Sequence, residues 1–264
     1  MNGLGNDFFV IDGVSEMLPN IDLLSVAPRW CNRQSGLGNR RKGADGIALI
    51  LPSETADLYM KIINADGTEP EMCGNAIRCV ALYAKTKGLV EKESILIDTK
   101  SGIRHCEIKQ DLVKVDMGEP AIQKPESILI KEREFTYHFV SMGNPHAVIL
   151  VPNSQRFPVA LYGPLIERHP DFPNQTNVEF VEILSPGNVK VRVWERGVGE
   201  TLACGTGACA VVVAGVLQQK LERRTRVTLK GGDLFIEWDA KSKHVFMTGP
   251  AVEDFVLTLE AIVN

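Results

Sequence analysis

The feature that most constrains the fold is a pattern that occurs twice, about half a chain apart. Residues 73–75 (CGN) and residues 204–206 (CGT) each precede an apolar segment of helical length. The two cysteines are 131 residues apart (204 − 73) in a chain of 264 residues. Two further pairs of motifs follow in the same order: 5–8 (GNDF) with 143–146 (GNPH), and 45–51 with 176–184. These ordered correspondences indicate an internal duplication and predict two related domains.

The apolar segments after the cysteines, 76–84 and 208–217, are apolar nearly all round, which is typical of buried helices. Elsewhere the chain consists mainly of short strand-like runs separated by Gly, Pro, Asn and Asp. We therefore predict an α+β fold with two pseudo-symmetric domains, each a curved, mostly antiparallel sheet or barrel around a central apolar helix. The predicted segments are a first domain at 1–118, a second at 119–253, a tail at 254–264 that returns to the first domain, and surface helices at 21–33 and 161–168.

Composition excludes several classes of protein. With 44% hydrophobic and 23% charged residues, the chain is typical of a soluble globular protein. A net charge of −4 provides no general attraction to nucleic acid or to anionic membranes. The longest apolar run is too short to span a bilayer, and the N-terminus does not resemble a signal peptide. We expect a cytoplasmic protein with reduced thiols, and the sequence leaves a homodimer open.

The placement of the two cysteines suggests acid/base chemistry. A helix start carries free N–H groups and a partial positive charge, which lowers the pKa of a thiol there and attracts a carboxylate. Backbone N–H groups of Gly74-Asn75 and Gly205-Thr206 would then hold one carboxylate, with a sulfur on each side of the adjacent carbon. One thiolate would remove the α-proton and the opposite thiol would return one, which is racemisation or epimerisation. On either motif alone, a small buried cysteine is the commoner outcome.

No cofactor or metal is predicted. The glycines at 36–38 do not continue into a dinucleotide-binding motif, and no phosphate-binding G-x-x-x-x-G-K-[ST] motif occurs. The cysteine spacings, 73 to 79 and 204 to 209, do not match common zinc-ligand pairs. We therefore expect the partner to be a small-molecule substrate.

The motifs GLGNDF, NADGTEPEMCGN, MGNPH, TNVEF, ERGVGETLACGTGACA and GGDLFIEW together resemble the diaminopimelate epimerase family. The resemblance runs over nearly the whole chain. It implies two similar domains, each a sheet barrel around a central helix, and a cofactor-independent enzyme. Such an enzyme interconverts LL- and meso-diaminopimelate in lysine and peptidoglycan-precursor biosynthesis.

The resemblance also implies roles for individual residues. Cys73 and Cys204 are the implied acid/base residues. The residues implied to contact substrate are Asn6, Asn64, Gly74, Asn75, Asn144, Asn177, Glu195, Arg196, Gly205 and Thr206. His146 and Gly46 are implied to support the reacting centre. The chain departs from the family pattern at 39–42, an apparent insertion within GLGNRRKGADG, and at Ala76, where the family usually has glycine.

Two other functions stay open on the sequence alone. A proline or hydroxyproline racemase shares the two-cysteine plan, although that family tends to carry histidine after its first Cys-Gly, where this chain has Asn75. An amino-acid-binding protein of the same fold without turnover is the non-enzymatic alternative.

Overall fold

The computed structural model describes residues 1–15, 21–35, 43–254 and 256. It divides into two compact units, Met1–Val115 with Gly249–Asn264, and Asp116–Thr248. The insertion predicted at 39–42 lies outside the described residues, and of the tail at 254–264 only Asp254 and Val256 are described. The domain limits predicted from the sequence stay predictions.

The first unit contains two helices among its described residues. Its elements are β1 (Asn2–Gly3), β2 (Asn6–Asp12), α1 (Leu23–Trp30), β3 (Gly46–Leu51), β4 (Leu58–Asn64), α2 (Gly74–Thr86), β5 (Ser94–Asp98), β6 (Arg104–Lys109) and β7 (Leu112–Asp116). Strands β2 and β3 pair in parallel, with Phe8 opposite Gly46, and β3 continues into an antiparallel pair with β4. Helix α2 packs against β1 to β6, and its residues from Gly74 to Leu82 are all buried.

The second unit is built mainly of longer strands. Its elements are β8 (Ala121–Ile122), β9 (Glu126–Ile130), β10 (Arg133–Ser141), β11 (Pro145–Leu150), α3 (Val159–Glu167), β12 (Asn177–Ser185), β13 (Asn188–Glu195), β14 (Gly199–Thr201), α4 (Gly205–Leu217), β15 (Arg224–Leu229), β16 (Gly232–Trp238) and β17 (Val245–Pro250), the last of which ends beyond the unit boundary. Strands β11 and β12 pair in parallel, with His146 opposite Asn177. Most other pairs are antiparallel. Helix α4 packs against β10, β11, β12, β15 and β16.

The prediction of a sheet-dominated fold with few helices is confirmed, and both apolar segments form buried helices of 13 residues. Helix α1 is shorter than the predicted 21–33. It begins after Asp22, whose carboxylate accepts the Leu24 N–H, and it ends at Trp30, two residues after Pro28. Helix α3 begins two residues before the predicted 161–168. Within the described ranges, no helix is long and apolar enough to cross a bilayer.

Candidate active site

Both predicted acid/base cysteines stand at the position immediately before a helix. Cys73 precedes α2 and Cys204 precedes α4, each with extended backbone (φ −135° and ψ 118°; φ −124° and ψ 113°). Each cysteine carbonyl accepts the first intrahelical hydrogen bond at 3.0 Å, from Ile77 and Ala208 respectively. The N–H groups of the first turn are therefore not used by the helix itself.

In the first unit, Cys73 belongs to a polar group that joins β2 to α2. The Asn6 side-chain oxygen accepts the Asn75 amide at 3.0 Å and lies 3.9 Å from the Cys73 sulfur. The Asn6 amide donates to Asp45 Oδ2 at 2.6 Å, and Arg33 bridges Asp45 and Asp7. The Asp45 carboxylate, directly before β3, therefore holds the Asn6 side chain near the cysteine.

Arg78 is a buried cation inside α2. Its guanidinium donates to the Gly74 carbonyl at 2.9 Å, to Asn75 Oδ1 at 3.0 Å and to the Pro250 carbonyl at 3.2 Å. Although the side chain is fully buried, these acceptors compensate for part of the lost hydration. Arg78 therefore fixes the first turn of α2, including the two residues predicted to cradle a carboxylate.

In the second unit, Cys204 faces a different set of groups. Its sulfur lies 3.5 Å from the Thr206 hydroxyl. The Asn144 amide donates to the same hydroxyl at 3.2 Å, and Asn144 Oδ1 lies 3.1 Å from His146 Nε2. The other ring nitrogen of His146 lies 2.7 Å from Glu179 Oε1. The predicted residues Asn144, His146, Cys204 and Thr206 are thus brought together.

The environment of Cys204 shifts the pKa of its thiol in the direction opposite to that expected from the helix start. Burial raises the pKa of this thiol well above its ordinary value, and the Glu195 and Glu179 carboxylates raise it further. The Thr206 hydroxyl and the Gly207 N–H lower it. Burial and the two carboxylates therefore outweigh the helix start, and the thiol form of Cys204 is favoured.

The other predicted contacts are engaged in the protein's own structure. The Asn64 amide donates to Thr68 at 2.9 Å. The Asn177 amide donates to the Pro145 carbonyl at 2.8 Å, and its oxygen accepts the Arg196 N–H at 3.0 Å. The Arg196 side chain is exposed and donates to the Asn174 carbonyl at 3.3 Å.

Two further predicted site residues, Glu195 and Gly46, lie close to Thr201 and Ile63 respectively. Glu195 accepts the Thr201 hydroxyl at 2.5 Å. A Cβ on Gly46 would lie 2.5 Å from the Ile63 carbonyl oxygen, so only glycine fits between β3 and β4. Close strand pairing therefore explains the glycine next to Asp45, and its role in supporting the reacting centre stays a prediction.

Sequence reasoning missed Glu179. The side chain is fully buried, and among the described residues its Oε2 has no hydrogen-bond partner. Ligand atoms of His146, Glu179 and Cys204 lie within 4.8 Å of one another, and these residue types can hold a metal ion. A metal there would have to displace the hydrogen bond between His146 and Glu179. No local sequence signal marks this carboxylate as buried, because its partner His146 lies on the neighbouring strand β11.

Comparison with known proteins identifies the family. Residues 1–123 and 138–253 match the family model of diaminopimelate epimerase. The diaminopimelate epimerase of Desulforudis audaxviator is 50% identical, over 97% of this chain and 96% of that protein. That of Methanococcus maripaludis (strain C5) is 46% identical, with the same coverage.

Solved structures show the same fold at low sequence identity. A hydroxyproline epimerase from Agrobacterium vitis, with bound trans-4-hydroxy-L-proline, superposes with a TM-score of 0.67 at 18% identity over 94% of this chain and 86% of that one. A phenazine biosynthesis protein of the PhzF family from Bacillus anthracis gives 0.65 at 17% identity over 96% and 92%. The near-complete matches at 46–50% identity decide the family, and this chain belongs to the diaminopimelate epimerase family.

Proposed function

We propose that this protein is a diaminopimelate epimerase that interconverts LL- and meso-2,6-diaminopimelate, a reaction of lysine and peptidoglycan-precursor biosynthesis. The observation that carries the proposal is the paired placement of Cys73 and Cys204, each directly before a buried helix, in a chain of this family. The substrate is a small molecule, and a cytoplasmic location, where thiols stay reduced, is part of the same proposal.

The proposed chemistry is a two-base proton transfer without a cofactor. One cysteine, as thiolate, removes the α-proton from one face of the carbon, and the other, as thiol, supplies a proton to the opposite face. The carbanion between these steps is stabilised when helix N–H groups bind the neighbouring carboxylate, since negative charge spreads onto it. The two thiols exchange roles in the reverse direction, so they titrate as a coupled pair.

Specificity for diaminopimelate requires recognition of the distal ammonium and carboxylate. Arg196 is the proposed cation for the carboxylate, because its guanidinium is exposed and its backbone is held by Asn177. A planar guanidinium binds a carboxylate through two parallel hydrogen bonds. Asn64, Asn144 and Asn177 are proposed as further contacts, which requires ligand to replace or share their present partners.

The test is a substrate panel with purified, reduced protein. We expect turnover of LL-diaminopimelate, with negligible turnover of lysine, proline and trans-4-hydroxyproline. Arg196→Met should lower kcat/KM by roughly 30-fold to several thousand-fold, the equivalent of about 2–5 kcal/mol. Arg226→Met is the matched control, since the side chain of this exposed arginine of the same unit pairs, among the described residues, with Asp233 alone. Comparable turnover of proline would contradict the assignment, and binding without turnover would favour the non-enzymatic alternative.

A further inference from the structure

Glu167 is a buried carboxylate that takes no part in the proposed proton transfer. It is the last residue of α3 and is only 2% exposed. Its Oε1 accepts the Gly197 N–H at 2.7 Å, and its Oε2 accepts the indole N–H of Trp194 at 2.8 Å. The carboxylate therefore connects the end of α3 to the end of β13 and to the turn that follows β13.

The stability of α3 does not explain a carboxylate at this position. The C-terminal end of a helix carries a partial negative charge, so a carboxylate there is unfavourable. Burial adds a further cost, because the group loses its hydration. An apolar side chain in place of Glu167 would avoid both costs. What the carboxylate contributes is the pair of hydrogen bonds from Trp194 and Gly197.

The turn that Glu167 contacts carries the arginine proposed to confer specificity. The Glu195 carbonyl accepts the Val198 N–H at 3.1 Å, and Gly197 has a φ of +74°. This is the geometry of a type II turn with Arg196 at its second position and glycine at its third. The hydrogen bond that closes such a turn uses neither of the two central N–H groups, so both can be bound by other parts of the protein.

Two side chains from neighbouring elements bind these two N–H groups. Asn177 Oδ1 accepts the Arg196 N–H at 3.0 Å, and Glu167 Oε1 accepts the Gly197 N–H. The Glu167 carbonyl also accepts the Thr176 N–H at 3.3 Å, which joins the end of α3 to the residue before Asn177. Because the peptide planes on both sides of the Arg196 Cα are held, the direction in which its side chain leaves the backbone is fixed.

We propose that Glu167 is a positioning residue that fixes the Arg196 turn, so that the guanidinium is directed at the distal carboxylate of the substrate. The inference rests on the proposed function for the identity of that substrate. An arginine whose backbone is already ordered loses less conformational freedom when it binds a carboxylate. The distal carboxylate is bound alike before and during proton transfer, so Glu167 acts on KM and not on kcat.

Glu167→Gln tests the proposal, because a glutamine side chain has one acceptor oxygen where two N–H groups need two. We expect the KM for LL-diaminopimelate to rise about 10- to 30-fold, with kcat within about twofold of the wild-type value. Glu182→Gln is the control, because one oxygen of Glu182 accepts both bonds from Ser154 and a glutamine oxygen can keep them. An unchanged KM in Glu167→Gln, or a loss in kcat alone, would overturn the proposal.

A double variant distinguishes positioning from a role in stability alone. Trp194→Phe removes one of the two donors, so the single oxygen of Gln at position 167 can return to the Gly197 N–H. We expect Trp194→Phe/Glu167→Gln to have a KM within about threefold of that of Trp194→Phe. A role in stability alone predicts that the two substitutions add their effects, and additive increases in KM would overturn the proposal.

Amide hydrogen exchange tests the same claim without substrate and without a variant that must fold. In the wild type, the Arg196 and Gly197 amides should exchange at least about 100-fold more slowly than those of an unstructured chain, although both residues are exposed. An unprotected Gly197 amide would overturn the proposal even if LL-diaminopimelate is turned over. Protection of both amides in a protein that does not turn over diaminopimelate would refute the proposed function and would still support the positioning of this turn by Glu167.

Discussion

The two units build the same frame around their cysteines but differ in the fully buried charged side chain near each helix start. In each, a parallel strand pair, β2–β3 or β11–β12, accompanies a buried helix that begins directly after a cysteine. In the first unit this side chain is the Arg78 guanidinium, within α2 and 0% exposed. In the second unit the Glu179 and Glu195 carboxylates act on Cys204. The duplicated backbone therefore sets where the thiols are, and single side chains set the charge near each helix start.

Equivalent positions show how this difference is accommodated. Counting back 131 residues, Gly207 of α4 corresponds to Ala76 of α2. By strand register, the residue of β3 that corresponds to Glu179 is Ala48. A Cβ on Gly207 would lie 2.6 Å from Glu179 Oε1. The second unit thus has glycine where a carboxylate needs room, and the first has a methyl group where it does not.

The largest expected effect comes from removing either thiol. Cys73→Ala and Cys204→Ala should each lower the rate of epimerisation by about 10²- to 10⁴-fold, because each removes one proton-transfer partner. The measurement is conversion of LL-diaminopimelate with reduced protein. Cys106→Ala is the control, since this buried cysteine lies on β6 of the first unit. Near-normal turnover in either variant would refute the two-base mechanism.

The stability of helix α2 should depend on the side chain of Arg78. Arg78→Met removes the donor of three hydrogen bonds, which are accepted by the Gly74 carbonyl, Asn75 Oδ1 and the Pro250 carbonyl. We expect a loss of about 2–5 kcal/mol in the stability of the first unit. Hydrogen exchange of the α2 amides in increasing urea measures this. Cys209→Ala, at the equivalent position of α4, should lower stability by only about 1 kcal/mol. If both substitutions lowered stability equally, α2 would not depend on Arg78 more than α4 depends on Cys209.

A reciprocal pair of substitutions tests the comparison at the helix starts. Gly207→Ala should improve helix propensity, yet lower kcat/KM about 10- to 100-fold, because its Cβ would displace Glu179. Ala76→Gly should cost about 1 kcal/mol of stability and leave kcat/KM nearly unchanged. Both are measured by steady-state kinetics and urea unfolding. The comparison fails if Gly207→Ala is fully active.

The smallest effect concerns alkaline stability. Burial raises the pKa of Cys79 in α2 to about 12 from its ordinary value of 9.0. As the pH rises, the unfolded chain therefore releases the thiol proton of Cys79 at a lower pH than the folded chain does. The stability that the protonated thiol confers on the folded state is full below pH 9.0 and is lost toward pH 12. The slope approaches about 1.4 kcal/mol per pH unit. Cys79→Ala should flatten the fall in urea midpoint between pH 9 and 11, and an unchanged slope would contradict this assignment.

Much of this arrangement could be predicted from the sequence, because it depends on local patterns. Two apolar segments behind Cys73 and Cys204 indicate buried helices without knowledge of their partners. Strand β10 is harder to predict, because Arg133 and Glu134 occupy its exposed start, so that buried Phe135 and Tyr137 do not form an obvious run.

The environment of the thiols could not be predicted, since it depends on contacts between distant segments. Glu179 lies in an apolar strand 25 residues before Cys204 (204 − 179), and nothing local indicates that its carboxylate is buried. The burial of Arg78 is equally hard to predict, because one acceptor of its guanidinium is the Pro250 carbonyl, 172 residues away. The helix start alone predicts a lowered pKa for the Cys204 thiol, and this prediction is therefore wrong.

The most direct test of the central claim, that two unlike thiols act as separate acid and base, is the fate of the α-hydrogen in D₂O. Wild-type protein is incubated briefly with LL-diaminopimelate, and substrate and product are separated for NMR. The two-base account predicts deuterium at the inverted carbon of the meso product, while unreacted LL-diaminopimelate keeps its hydrogen. Transfer of the original hydrogen into the product, or exchange into the recovered substrate as fast as into product, would show that one base serves both faces and would contradict the account.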